Sequence, residues 1–382
     1  MKLKCIYVVS DELTQHLQRM LPQPFNMLKI PRIIKAGTDL IKTLNLSKCI
    51  EVIEPRPMSF EELSIFHSKS YISKLISRSS KISTSHLPPA NPEAIKLIIG
   101  ATLTAVDVAL KNNIAINPLG GFVDSPRDSP GPLSYINDVA TAIIYARDYR
   151  KIKKVAVINL STTDFGEVIR DKELLNDSNV LFIDMHLEPL HNPYSSLFSL
   201  YPNIENLHRD IRNLRIVFRV LPTFTDTEFE LVKREIIMKS IERFNPNLVI
   251  IVLHGYFSIF RPIVSQPLIT PQTLANLVCD IAEQRNGRVV VLGQSSPSGP
   301  LSLLMLTNIA RRLCKVAISD DKIQEFIHKY LGTDKDLKEW TTLLELAKQF
   351  MLLKISKVVD KVTHEYIIRE LEKLRRRCRI LE

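Results

Sequence analysis

Glycine is scarce in this 382-residue chain. It holds 11, under half of the usual share of about 7%, so the flexible loops that commonly frame an α/β active site are in short supply. Cysteine offers no framework either. Cys5, Cys49, Cys279, Cys314 and Cys378 are scattered, odd in number and form no CxxC pair. That spacing argues against a cysteine zinc cluster or a disulfide scaffold, and a reduced, cytoplasmic protein is expected. No apolar run reaches the ~18 residues of a membrane span. The apolar part of Met1–Val9 is too short for a secretion signal and reads as a first strand. No G-x-S-x-G elbow, phosphate loop or G-x-G-x-x-G is present, which removes the hydrolase, nucleotidase and dinucleotide-binding readings those motifs carry.

Hydrophobic residues make up 45% of the chain, enough for a substantial core. The net charge is +10. It permits a nucleic-acid or other polyanionic partner, although a solvated surface explains most dispersed charge.

Short Val- and Ile-rich runs without strict alternation predict buried strands at Lys4–Val9, Lys154–Leu160, Val180–His186, Ile216–Val220, Leu248–His254 and Arg288–Leu292. Helices are predicted between them. Asn91-Pro92 opens one, with Pro92 at the first helical position. Asn137–Tyr149 is a second. Thr225-Asp226-Thr227-Glu228 reads as a capping box for a helix to Phe244, and Thr270-Pro271 begins one ending near Gly287. Alternating strands and helices predict a doubly wound α/β fold, whose ligands bind beyond the carboxyl ends of the strands. Ser77–Asn91 reads as a surface loop. From 314 to 382 the pattern is helical only, at Lys322–Tyr330, Asp336–Val359 and Lys361–Leu381. Two units are therefore expected: an α/β domain over 1–313 and a helical C-terminal extension over 314–382.

Three segments in order resemble the histone deacetylase and acetoin-utilization family. They are Phe66-His67-Ser68-Lys69-Ser70-Tyr71, Tyr135-Ile136-Asn137-Asp138-Val139-Ala140 and Asn245-Pro246-Asn247-Leu248-Val249-Ile250. The resemblance implies an arginase-deacetylase fold, a three-layer α/β/α sandwich with a mainly parallel sheet. It also implies where zinc chemistry would sit, and there the residues differ. Ser161 and Thr163 occupy the positions of an aspartate and a histidine that bind the metal, and Phe257 that of a second aspartate. Gly121 and Phe122 replace the histidine acid–base pair. Ser296 stands in place of the transition-state tyrosine. Neutral hydroxyls are poor zinc ligands and a phenyl ring is none, and no group at 121–122 can take a proton from water.

The expectation is therefore a pseudoenzyme that acts as a binding, scaffolding or regulatory subunit, without cofactor or zinc, with a protein partner or self-association and no membrane. A hydrolase with a site rebuilt around Asp184, His186 and His254 is the first alternative. Asp184-Met185-His186 looks like a metal motif, though a strand-end role without metal is the commoner meaning. The second alternative is a nucleic-acid or chromatin platform. Its interaction helix would carry Arg369, Lys373, Arg375, Arg376, Arg377 and Arg379, with a solvated amphipathic helix as the simpler account.

Overall fold

The computed structural model describes residues 3–20, 30–77, 89–131, 134–161, 166–187, 215–220, 224–253, 269–293, 299–319, 321–323 and 325–326, with 365, 368, 369 and 372. All seven residues of Val155–Ser161 are buried, and so are all six of Leu248–Leu253. Short Val- and Ile-rich runs buried along their whole length suit strands covered on both faces. The strands are β1 (Cys5–Val8), β2 (Ile50–Ile53), β3 (Ile114–Asn117), β4 (Val155–Ser161), β5 (Val180–Leu187), β6 (Arg215–Val220), β7 (Leu248–Leu253) and β8 (Val289–Leu292). They form one eight-stranded sheet in the order β2-β1-β3-β8-β7-β4-β5-β6. Every pairing is parallel. Helices cover both faces, and the fold is the α/β sandwich of the arginase-deacetylase type.

Six strands lie where the sequence predicts them, within a residue or so. Arg288 is the informative exception. Its φ of 57° is left-handed, so the strand starts at Val289. β2 and β3 were not legible. β2 carries Glu51 and a half-exposed pattern on the edge of the sheet, and the apolar run of β3, Ile114–Ile116, is closed in by Asn113 and Asn117.

Helix starts follow their caps. The Asn91 side chain accepts from the Glu93 and Ala94 amides at 3.0 and 3.2 Å, opening Pro92–Ala109. The Glu228 carboxylate accepts from the Thr225 amide at 2.7 Å, opening Asp226–Val232. Two predicted helices contain π-helical turns, Tyr145–Tyr149 and Lys233–Met238. Thr270 accepts from Thr273 N at 3.3 Å and starts Pro271–Gln284.

The last well-described helix is Gly299–Cys314. Beyond it, Ile318, Ile323 and Phe326 are buried in the same core as the sheet. Residues 321–323 and 325–326 are helical, as are 365, 368, 369 and 372. The predicted Asp336–Val359 helix lies outside the described residues, as does most of Ser77–Asn91. No helix among the described residues is long and apolar enough to cross a membrane.

One expectation is overturned. Cys49 and Cys314 form a disulfide across a sequence separation of 265, with Cα atoms 5.8 Å apart. The Leu46–Lys48 turn before β2 and the end of the Gly299–Cys314 helix bring them together. Spacing rules read only near neighbours in sequence and are blind to a pair so distant. Cys5 and Cys279 are free and buried.

Candidate functional site

Parallel strands all deliver their carboxyl ends to one edge, and the loops leaving that edge carry the candidate residues. Gly121 and Phe122 leave β3, Ser161 ends β4, and Asp184 and His186 end β5. Thr163, Phe257, Ser296 and His254 lie outside the described residues, as do Lys373, Arg375, Arg376, Arg377 and Arg379. Arg369 is helical and exposed. The exits of β3 and β4 meet, because the Glu167 amide donates to the Val123 carbonyl at 2.8 Å.

Asp138 organises the β3 exit. It is fully buried at the start of Asp138–Ile144. Its carboxylate accepts from the Phe122 amide at 2.7 Å and from the Gly121 amide at 3.0 and 3.2 Å. The Thr102 hydroxyl donates to it as well and accepts from Asn117 Nδ2 at 2.9 Å. A Cβ on Gly120 would lie 2.6 to 2.8 Å from Asn117, Asp138 and Thr102, and Gly121 has φ 102°. Glycine is thus required where the chain wraps the carboxylate. Burial pushes the Asp138 carboxyl up to about 6, against the lowering effect of these donors. Phe122 is 6% exposed and belongs to the core.

The neighbouring Asn137 caps the same helix through Ala140 N at 2.9 Å. Its Nδ2 donates to the Val123 and Ser125 carbonyls at 3.1 and 3.3 Å. Main chain engages both nitrogens of the His67 ring. Nε2 accepts from the Asn137 amide at 2.9 Å and Nδ1 lies 3.3 Å from the Arg127 carbonyl. An amide can only donate and a carbonyl only accept, so the proton belongs on Nδ1 of a neutral ring. Burial lowers its pKa to about 4. The Tyr71 hydroxyl donates to the Tyr135 carbonyl at 2.7 Å. The recognisable segments Phe66–Tyr71 and Tyr135–Ala140 therefore clamp the loop over 120–125 in place.

The β4 and β5 exits hold a second buried cluster. Register places Asn159 opposite Asp184 and Ser161 opposite His186. Asn159 Nδ2 donates to Asp184 Oδ1 at 2.8 Å, and His186 Nδ1 lies 3.3 Å from the same oxygen. Asp184 is 0% and His186 3% exposed, and Arg215 beside them is 4% exposed. Burial works to raise the Asp184 carboxyl, but His186, Arg215 and Asn159 outweigh it and hold the group below its usual range. The sequence singled out Asp184 and His186 but gave no sign of Arg215 or Asn159, which only strand register brings alongside. The cluster is an internal charge network closed to solvent. Ser161, fully buried, offers one neutral hydroxyl. Among the described residues no group of three His, Cys, Asp or Glu side chains is placed to hold a metal ion.

A model of the histone deacetylase domain matches residues 23–294, so the chain belongs to the histone deacetylase family. It is 25% identical over 253 residues to histone deacetylase 8 of Arabidopsis thaliana, covering 62% of this chain and 65% of the relative. It is 22% identical over 302 residues to histone deacetylase 6 of Caenorhabditis elegans, covering 72% and 30%. Against histone deacetylase 8 of Xenopus tropicalis it is 26% identical over 178 residues, covering 41% and 46%. The chain thus spans less than two thirds of the length of each of these relatives.

Proposed function

We propose that the protein is a histone-deacetylase-like pseudoenzyme, a binding, scaffolding or regulatory subunit that engages a protein partner or a second copy of itself. The carrying observation is the β3 exit. Gly121 and Phe122, at the positions of the family's acid–base pair, give their amides to Asp138, and the Phe122 ring is packed into the core. The shell of the loop is intact while nothing at those two positions can move a proton. The zinc positions Ser161, Thr163 and Phe257 supply two neutral hydroxyls and a phenyl ring, a donor set that does not fit a zinc ion needing about three good ligands. The Asp184–His186 pair does not favour a rebuilt hydrolase, because both side chains are buried.

Purified protein is expected to carry well under one zinc per chain by elemental analysis and to leave an acetyl-lysine peptide unhydrolysed after zinc is added. Stoichiometric zinc together with hydroxamate-sensitive turnover would overturn the proposal.

A further inference from the structure

The opposite edge of the sheet carries a row of cations. Four loops lead into β3, β8, β7 and β4, which are consecutive neighbours in the sheet. Main-chain bonds align them: the Val289 amide donates to the Asn113 carbonyl, Val249 to Arg288 and Asn247 to Lys154, at 3.3, 3.0 and 2.8 Å. The lead-ins are residues 111–113, 285–288, 243–247 and 151–154. Seven of these sixteen residues are Lys or Arg and none is Asp or Glu. Lys111, Lys151 and Lys153 are exposed, and Lys154, Arg285 and Arg288 are half-buried.

These six cations are not neutralised by carboxylates among the described residues. Lys154 Nζ donates to the Phe244 carbonyl at 3.1 Å and lies 5.0 Å from the Phe244 ring centroid. Arg288 Nε donates to Asn112 Oδ1 at 2.8 Å, and Arg285 donates to Asn245 Oδ1. Neutral partners fix the positions of these cations without cancelling their charge. The nearest carboxylates in sequence are Asp107, Asp148, Glu242 and Glu283; Asp107 is taken by Arg150 and Glu283 by Arg312, both at 2.6 Å. At the two ends of the row charge is balanced, by Lys4 with Glu51 and by Arg147 with Asp177. Lys151 and Arg288 also have φ of 56° and 57°. Asn or Gly would fit such turns with less strain, so the backbone does not account for the cations there.

We propose that this amino-terminal edge binds the phosphate backbone of duplex DNA without reading its sequence. Three strand spacings make the row about 14 Å long. That length faces roughly four phosphates of one strand at 3.4 Å each. The one aromatic residue in the sixteen, Phe244, is buried, so these residues offer no platform for stacking unpaired bases, and the exposed Tyr149 just before Lys151 has one face stacked on Tyr145. The inference is independent of the pseudoenzyme reading, since this edge lies across the sheet from the family's pocket.

The test is fluorescence anisotropy of the full chain with a 30-base-pair duplex across a salt series. Wild type should bind with a log–log salt slope of about −3. The triple variant Lys111→Glu, Lys151→Asn, Lys153→Glu alters only exposed positions, and asparagine suits the left-handed turn. It should bind at least about tenfold more weakly at 0.1 M salt, with a slope shallower by roughly 2. Lys111→Arg with Lys153→Arg should bind like wild type. Arg375→Gln, Arg376→Gln, Arg377→Gln should also leave binding unchanged. No duplex binding, tighter binding of a single strand or of a poly-glutamate peptide, or a loss confined to the 375–377 variant would each overturn the proposal. Unchanged thermal melting of the first variant would exclude misfolding as the cause of lost binding.

Discussion

Asp138→Ala is expected to lower unfolding stability by about 3–5 kcal/mol, or to prevent folding altogether. The change leaves the amides of Gly121 and Phe122 and the Thr102 hydroxyl without their shared acceptor, in a place where each unmet buried donor costs about 1–3 kcal/mol. Asp138→Asn keeps an oxygen for Phe122 and should lose about half as much. The same carboxyl sets a pH dependence. Its folded pKa of about 6 lies above the 3.8 of an ordinary aspartate. A group raised in the folded state favours folding most when it is protonated in both states. Stability from Asp138 is therefore full below about pH 4, declines as pH rises and reaches its lower plateau above about pH 6. Urea denaturation at pH 4, 5, 6 and 7 should show this decline in wild type and its loss in Asp138→Asn. Equal pH profiles for the two proteins would refute the assignment.

The second large effect concerns the Cys49–Cys314 disulfide. Closing a 265-residue separation removes much chain entropy from the unfolded state, and such bonds typically contribute about 2–4 kcal/mol. Reduction, or Cys49→Ser with Cys314→Ser, should lower the melting temperature by about 2–5 °C for a chain of this length. Reductant should then have no further effect on the double variant. Thiol titration of the unfolded, unreduced chain should find three thiols, those of Cys5, Cys279 and Cys378, rather than five. Five thiols, with no response of melting to reductant, would refute the bond.

Much of the fold was legible because its signals are local. Val155–Ile158 and Leu248–Leu253 are uniformly apolar, and short Val- and Ile-rich runs of this kind read as strands covered on both faces. Asn91-Pro92 and Thr225–Glu228 announce helix starts within four residues. β2 was missed because the polar Glu51 interrupts its apolar run, and β3 because Ile114–Ile116 is a three-residue apolar run set between Asn113 and Asn117. The site was legible in part. Asp184 and His186 stand two apart on a strand, so their shared face follows from the pleat. Their companions Asn159 and Arg215 follow only from register. The central role of Asp138 was hidden for the same reason, because Thr102 and Gly121 reach it from other elements. The scarcity of glycine proved informative in an unexpected place: Gly120 and Gly121 are retained where the backbone must encircle a carboxylate.

The bond between Cys49 and Cys314 also changes what kind of object the chain is. Seven of the eight strands, β2 through β8, lie between its two ends. The sheet is thus enclosed in a covalent ring, with only β1 and the N-terminal helices on one tail and the last residues on the other. A single backbone cut anywhere inside that ring does not divide the molecule. It converts a loop into two arms that stay joined through sulfur, so the sheet keeps the proximity of its parts after the peptide chain itself has been broken.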